Sequence, residues 1–493
     1  MSYRSLADFL EQLARAGEMV RVEAAVDPVL EAAEISARSI KVAGTLRVPS
    51  AGPALLFGNP TGHDIPLLAN LLASESRVCE ALGVASPKEI VERLALLTEP
   101  AEPEGWFERL KTAPHVAALG KVPPRRVKSA PCQQIVRLGG DVDLGELPAL
   151  QSAPDEPGRT ITAGVVFTAD ADTHRPVAGR WDVPVLGRNS LAIAWADDEE
   201  PARLLIEYRS RGEKMPVAIS LGGDPALLLA AMAPVPAAAD VPTLAGLLRE
   251  RPLDVVACRN VDLMAPADAE IVIEGHIDPA EPPQEIGPLA TLSGSCSRPR
   301  LMPVAEVTAI THRANPVFPA MVPGRPPHEA GVIAQTLGRM FVPLIRTSLP
   351  GLVDFHLPMF TAPGQSAVLA IHKTYLGQAR RAAQVAWSLP AFQRAKLLVL
   401  VDDDVDVRDD AAVLSAINNN VHPARDVISY QGPPDPTDPT TLPGDLSHQT
   451  ALDATRKLPG EHAATWPQPA TMPAEIRQLV TDRWPEYGLE ALE

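Results

Sequence analysis

Residues 304–311, with the sequence VAEVTAIT, decide the class of fold. Five of these eight residues are β-branched: Val304, Val307, Thr308, Ile310 and Thr311. Such a composition favours a pleated strand. Further strand patterns lie at 161–168, 255–258 and 269–277, and glycine pairs at 139–140 and 222–223 mark turns between strands. Short strands separated by turns predict a β barrel or sandwich in the central part of the chain.

Helical patterns lie on both sides of this β region. Near the amino terminus, apolar residues at 6, 9, 10 and 13 follow the capping residue Ser5 and precede Gly17, which predicts a helix. A second helix is expected to begin at Asp27-Pro28. After about residue 326, helical stretches (329–338, 376–388, 411–418) alternate with apolar strands at 368–372 and 396–401, which predicts an α/β layer. The run 433–443 (PPDPTDPTTLP) predicts a loop or linker.

Composition excludes several classes of partner. The 493 residues carry a formal net charge of −17 and only 4% aromatic residues, which argues against nucleic acid and anionic membranes as partners. No apolar stretch reaches the ~20 residues that a membrane span needs. The amino-terminal twelve residues lack the apolar segment of a signal peptide. Four well-separated cysteines are typical of reduced thiols, so we expect a cytoplasmic protein.

The sequence contains only weak matches to known metal-binding and catalytic motifs. The carboxylates of 402–404 follow an apolar strand and suit either a Mg²⁺ site or, in the blander interpretation, a solvated Asp-rich turn. His328-Glu329 begins like a zinc-protease helix, but position 332 is Val332, so zinc is not expected, and a surface histidine is the favoured interpretation. Gly294-Ser295-Cys296 resembles only part of a nucleophile elbow.

Several collinear segments together resemble the UbiD family of decarboxylases, which use prenylated FMN. They run in order through the chain and span about residues 5 to 460: LADFL at 6–10, PALLFGNP at 53–60, APCQQ at 130–134, PVAISLGGDP at 216–225, AEIVIEG at 269–275, GRPP at 324–327, VDF at 353–355, VDDDV at 401–405 and LDAT at 452–455. Each segment is weak alone, and their shared order carries the resemblance.

The resemblance implies an α+β architecture in four parts. These are an N-terminal α/β region (1–112), a central split β barrel of the flavin-binding type (113–318), a C-terminal α/β oligomerisation domain (319–450) and a tail (451–493). The three larger parts agree with the zones that composition and periodicity indicate. The fold alone does not establish the function.

The positions implied for the cofactor depart from the family pattern. The family clamps the flavin phosphate through a divalent metal held by Asn, His and Glu, and these positions fall here on Val177, Asp198 and Val241. Valine has no donor atom, so we expect no metal at these positions. The stretch 197–200 (DDEE) also places four carboxylates where a phosphate would lie, and like charges repel. Lys373 and Trp195 are the remaining expected cofactor contacts, and the cofactor is either held differently or absent.

The implied catalytic set is changed as well. The family arginine falls on Asp182, but Arg180 lies on the same face of an extended strand and is predicted to substitute for it in holding a carboxylate. Glu285 is predicted as the acid–base carboxylate. The family's second carboxylate falls on Thr291 or Ala290, and threonine is no useful general acid.

Three functions therefore stay open. The first is a divergent, non-oxidative carboxy-lyase for an aromatic or α,β-unsaturated carboxylic acid. The second is a non-catalytic subunit that partners an active UbiD-type decarboxylase. The third is an enzyme with new chemistry in the flavin cleft, where the carboxylates at 197–200 bind a cation or amine. A homodimer or higher homo-oligomer is expected in each case.

Overall fold

The structure is a computed structural model that describes residues 3, 5–42, 52–98, 122–442, 444–462, 465–467 and 470–488. Its helices are α1 (Leu6–Ala16), α2 (Glu31–Val42), α3 (Glu75–Ala81), α4 (Pro87–Thr98), α5 (Glu200–Arg211), α6 (Pro225–Ala231), α7 (Val241–Arg249), α8 (Glu329–Ser348), α9 (Gln378–Ala386), α10 (Asp410–Asn420), α11 (Pro423–Asp426) and α12 (Ala474–Asp482).

The strands form six separate sheets. They are β1 (Met19–Val26), β2 (Ala54–Pro60), β3 (Leu67–Ala69), β4 (Arg125–Arg126), β5 (Ile135–Leu138), β6 (Thr160–Ile161), β7 (Val165–Ala169), β8 (Pro176–Arg180), β9 (Val183–Pro184), β10 (Ser190–Ala192), β11 (Met215–Leu221), β12 (Asp254–Ala257), β13 (Met264–Pro266), β14 (Ile271–Ile277), β15 (Gln284–Ile286), β16 (Arg300–Met302), β17 (Val304–His312), β18 (Phe318–Ala320), β19 (Leu352–His356), β20 (Ser366–Ile371), β21 (Leu397–Asp402), β22 (Val427–Gly432) and β23 (Ser447–Asp453).

The central layer is an antiparallel sheet in the order β10-β17-β14-β11-β7-β8, with β5 also paired to β17. Its strands alternate between two cores, as the period of two requires: Val165 and Phe167 pack into one, and Val166 into the other. The predicted strand at 304–311 is confirmed as β17. Among the described residues no pairing joins β8 to β10, so the ladder does not close into a barrel.

The N-terminal region packs a small mixed sheet, in the order β1-β2-β3-β18, against its helices. Helix α1 begins and ends as predicted: Ser5 caps it by accepting from the Asp8 N–H, and Gly17 is left-handed at φ 72°. Helix α2 begins at Glu31 rather than at Asp27-Pro28. The difference arises because Leu30 adopts φ 69° and Val29 bridges to Gln151, which holds this segment outside the helix.

The C-terminal layer is the predicted α/β arrangement. Its sheet runs β19-β20-β21-β23-β22, with β20, β21 and β23 parallel and the two edge strands antiparallel. Helix α8 leads into this layer, α9 connects β20 to β21, and α10 and α11 lead from β21 to β22.

Two strands cross the predicted domain boundaries. Strand β18 lies across the boundary at 318/319 and pairs with the N-terminal strand β3. Strand β23 lies across the boundary at 450/451, so the C-terminal layer continues to Asp453. The boundary at 112/113 falls outside the described residues. None of the described helices is long and apolar enough to cross a membrane.

Candidate functional site

A cavity of about 800 Å³ lies between the central layer and a loop of the C-terminal layer. Such a volume is in the range of small-molecule sites. Its walls are mainly aliphatic and proline side chains, with charged groups at several points. Three of the most exposed aliphatic residues of the protein, Ile206, Leu301 and Leu442, line it at 65%, 63% and 49% exposure. Apolar side chains left open to solvent inside a cavity indicate a binding site.

One wall of the cavity is the β15–β16 hairpin. Glu285 pairs with Leu301 and Ile286 with Arg300, and the pairing continues to Ala290 and Cys296. Residues opposite each other in such a ribbon share a face, so Glu285 and Leu301 both project into the cavity. Ile286 on the other face is buried. The extra residue before Gly287, which makes the sequence register uncertain, is therefore accommodated within a regular hairpin.

The opposite wall is the proline-rich loop 433–442, so of the predicted alternatives, loop or linker, the described residues form a packed loop. Two successive Asp-Pro-Thr turns give the loop a fixed shape: Asp435 accepts from the Thr437 N–H at 2.9 Å, and Asp438 from the Thr440 N–H at 2.9 Å. Lys396 donates to Asp438 at 3.0 Å and holds the loop against the C-terminal layer. Burial of both aspartates at 8% exposure shows that the loop is packed.

The floor of the cavity contains Trp195, which is 4% exposed and lies edge-on to Trp181 at a centroid distance of 6.1 Å. Beneath it, Arg300 donates to the carbonyls of Trp195 and Ala194 at 2.7 and 2.6 Å. Burial lowers the pKa of Arg300, while Asp197 and Glu199 nearby oppose that shift. Trp195, predicted as a cofactor contact, thus faces the cavity.

The four carboxylates at 197–200 do not form a cluster. Asp198 pairs with Arg394 at 2.6 Å, Glu199 accepts from the Trp181 Nε1–H at 2.8 Å, and Glu200 pairs with Arg203 at 3.0 Å. Of the four, Asp197 alone makes no hydrogen bond within the described part of the chain. The proposal that this stretch binds a cation or amine loses its structural basis, because its members are held apart by different partners.

Arg180, predicted to hold a carboxylate, does not line the cavity. Its Nε and Nη2 atoms donate to the Thr162 carbonyl at 2.8 and 2.7 Å, and Nη2 also pairs with Asp182. The contact with Asp182 agrees with the prediction that the two residues share a face. Behind them lies Glu329, which is 3% exposed and accepts from the Leu72 N–H at 2.5 Å.

Glu329 is a buried carboxyl whose pKa differs from that of an exposed glutamate. Burial raises its pKa to about 7, and the Leu72 N–H and the charges of Arg77 and Arg180 act in the opposite direction. His328, which was interpreted as a surface histidine, is instead 4% exposed and caps α8 by accepting from the Gly331 N–H. That interpretation is wrong because the start of α8 is buried against the N-terminal region.

Lys373, the other predicted cofactor contact, is buried in the C-terminal layer. It pairs with Glu461 at 2.5 Å and donates to Thr455 at 2.9 Å, and its side chain is 2% exposed. It does not line the cavity. The lysine is thus neither a surface charge nor a free donor.

The contacts of residues 402–404 argue against the Mg²⁺ interpretation. Asp402 and Asp404 pair with Arg456 at 3.0 and 2.7 Å, and Asp403 bonds His372 at 2.6 Å. Across the described residues, no group of three or more His, Cys, Asp or Glu side chains is arranged to hold a metal ion. The three carboxylates are bonded to an arginine and a histidine of the protein itself, which supports the structural interpretation.

Three family models match consecutive parts of the chain. They describe the N-terminal, Rift-related and C-terminal domains of 3-octaprenyl-4-hydroxybenzoate carboxy-lyase, and they match residues 10–95, 125–326 and 331–454. The chain belongs to the UbiD family.

Solved UbiD-type structures are similar over the whole chain. Vanillic acid decarboxylase of Sedimentibacter hydroxybenzoicus in its closed form is 26% identical, with 100% of each chain covered and a TM-score of 0.84. HmfF of Pelotomaculum thermopropionicum, in complex with FMN, is 26% identical over 97% of this chain and 99% of that one, with a TM-score of 0.74. The apo 3,4-dihydroxybenzoic acid decarboxylase of Klebsiella pneumoniae is 25% identical at the same coverage, with a TM-score of 0.71.

The residues present do not fit the family's metal-clamped flavin phosphate. Val177 and Val241 are buried at 4% and 6% exposure among apolar side chains and have no donor atom. Asp198 is engaged by Arg394, and Lys373 by Glu461. A hard cation needs oxygen donors, and a phosphate needs free N–H groups; neither set is available at these positions.

Sequence reasoning missed one cavity residue of interest, Arg298. It lies between β15 and β16, next to Pro299, and it is exposed at the cavity wall. The signal that would have drawn attention to it is the Arg-Pro-Arg sequence at 298–300, which places two cations in a segment too short to bury both.

Proposed function

We propose that this protein is a carboxy-lyase that removes CO₂ without oxidation from an aromatic or α,β-unsaturated carboxylic acid. The observation that carries the proposal is Glu285. This carboxylate projects into the apolar cavity and makes no hydrogen bond or ion pair with any described residue. In a chain of the UbiD family, an unengaged carboxylate in a cavity of this size is suited to acid–base chemistry.

The proposed step is balanced without an oxidant. Protonated Glu285 delivers its proton to the carbon that bears the carboxylate, the bond from that carbon to the carboxylate breaks, and its electron pair restores the ring or double bond as CO₂ leaves. A later proton from solvent restores Glu285.

The central layer is proposed to be the split flavin-binding barrel of the family, with its ladder left open between β8 and β10. We propose further that prenylated FMN, if this chain takes it up, is not held through Val177, Asp198, Val241 and Lys373. Arg180 stays the family-based candidate for the substrate carboxylate, although its engaged guanidinium argues against that role.

A second candidate function is a non-catalytic subunit that pairs with an active UbiD-type decarboxylase. The buried valines at the family ligand positions favour it. A homodimer is the minimum assembly that we propose for either function. Co-purification from the native host distinguishes the two, because a strictly homo-oligomeric species speaks for the first.

The test measures CO₂ release from a panel of phenolic and cinnamic acids. The protein is produced with and without a co-expressed flavin prenyltransferase, and its visible spectrum and native mass report any bound flavin. We expect CO₂ release that Glu285→Gln abolishes. Glu306→Gln is the matched control, since Glu306 is an exposed strand glutamate outside the cavity. Full activity in Glu285→Gln refutes the assignment.

A further inference from the structure

A carboxylic acid bound in this cavity needs a cation in reach, and three described cations line it: Arg209, Arg298 and Arg300. Arginine suits this role because its planar fork matches the two carboxylate oxygens. The contacts of the three differ, and these contacts determine which guanidinium is available. The inference rests on the proposed function, since it concerns the substrate of the same cavity.

Two of the three are engaged by backbone carbonyls. Arg300 directs both terminal nitrogens to the Trp195 and Ala194 carbonyls, and it is partly buried below the cavity floor. Arg209 donates its Nε–H to the Pro279 carbonyl at 2.8 Å. A substrate that recruited Arg300 would leave two carbonyls without donors, which is costly for buried groups.

Arg298 has the least engaged guanidinium of the three. Its contact is one long hydrogen bond, from Nη2 to the Pro439 carbonyl at 3.4 Å, and it makes no ion pair with any residue that the structure describes. The side chain therefore reaches from the hairpin wall towards the loop 433–442. A ligand carboxylate would replace a contact at the limit of hydrogen-bond distance with charge-assisted bonds.

We propose that Arg298 binds the carboxylate of the substrate, in place of the family-based candidate Arg180. Arg298 lies in the loop just before β16, three residues from Leu301, which pairs with Glu285 on β15, and both Arg298 and Glu285 line the cavity. Three positions along a strand span about 10 Å, a gap that the two extended side chains close from both ends. A carboxylate held by Arg298 thus brings its attached carbon towards Glu285.

The experiment compares the affinity of acids with that of their neutral amides, using 4-hydroxybenzoate against 4-hydroxybenzamide and cinnamate against cinnamamide. Isothermal titration on the full-length protein measures binding without requiring turnover. We expect the wild type to prefer the acids by about tenfold or more, and Arg298→Ala to abolish that preference. Arg298→Lys should retain part of it, because the charge remains and the fork is lost.

Arg180→Gln and Arg209→Gln serve as comparisons, and both should keep the preference for acids. Loss of the preference in Arg180→Gln with retention in Arg298→Ala overturns the proposal in favour of Arg180. Equal binding of acid and amide by the wild type also overturns it. If the acids bind through Arg298 and no CO₂ is released, the inference stands and the proposed reaction fails, so the two failures are distinguishable.

Discussion

The surroundings of Arg180 and Arg298 illustrate two different uses of the same side chain. Arg180 lies at the end of a central strand, where the Thr162 carbonyl and Asp182 occupy two of its nitrogens and a buried carboxyl stands behind. Arg298 projects from a hairpin into an 800 Å³ cavity and makes one long contact. The first arginine is engaged within the central region of the protein, and the second is available to a ligand.

The difference teaches that a position close to a motif residue does not establish the role of that residue. Arg180 stands two residues from the position of the family arginine, and this nearness makes it attractive from sequence. Its contacts show that its charge is used within the protein, to balance neighbouring carboxylates. The two arginines differ in how many of their N–H donors are free to bind a ligand, and only the folded structure shows this difference.

The largest expected effect concerns the stability contributed by each arginine. Arg180→Ala should lower the free energy of unfolding by about 2–3 kcal/mol, because it leaves Asp182 and the buried Thr162 carbonyl without partners. Arg298→Ala should change it by less than about 0.5 kcal/mol, as expected for an exposed residue. Urea unfolding of both variants measures the difference. Equal losses in the two would break the comparison.

The second effect is a change of about 2 kcal/mol in the free energy of unfolding with pH, and it is caused by Glu329, the buried carboxyl whose pKa is influenced by Arg180. Glu329 has a pKa of about 7 in the folded protein, raised by burial above the ordinary 4.5. Between these values the folded state binds the proton more tightly than the unfolded state, so this group's contribution to stability falls as pH rises from 4.5 to 7. Glu329→Gln should remove that fall.

Unfolding free energies of wild type and Glu329→Gln at pH 5 and pH 8 provide the measurement. Relative to the wild type, Glu329→Gln should have a higher free energy of unfolding at pH 8 but not at pH 5. Glu306→Gln, at an exposed strand position, should leave the difference between the two pH values unchanged. A Glu329→Gln profile parallel to that of the wild type would contradict the expectation.

The smallest effect concerns the ion pair of Asp198 and Arg394, which joins the central layer to the loop wall. Arg394 also donates to the Pro434 carbonyl at 3.2 Å. Arg394→Ala should cost less than about 1 kcal/mol, since the pair is partly exposed. It should nevertheless increase amide hydrogen exchange in residues 433–442. Arg408→Ala, which breaks a similarly exposed pair with Asp354, is the matched control and should not affect that loop.

The regular elements were largely predictable because their signals are local. The spacing of Leu6, Phe9 and Leu13 and the β-branched run at 304–311 each specify an element without reference to the rest of the chain. The start of α2 was not predictable, because it depends on a bridge from Val29 to Gln151, more than a hundred residues away.

The site was predictable only in part, for the same reason. Glu285 was identified from its motif, but its place in a cavity depends on a loop about 150 residues further along the chain. Asp198 and the carboxylates at 402–404 resembled ligand sites because their arginine and histidine partners are remote in sequence. Side-chain partners are long-range properties, and a motif records only neighbours along the chain.

The paired Asp-Pro-Thr turns have a consequence for how the protein recognises its ligand. Each proline restricts the backbone before folding, and each aspartate fixes the turn that follows, so the wall retains little conformational entropy to lose. Binding therefore need not order this segment, and the affinity of a ligand reflects its fit to an existing shape. Substitutions at Leu442, which lies outside the two turns, should consequently change which acids fit without loosening the wall itself.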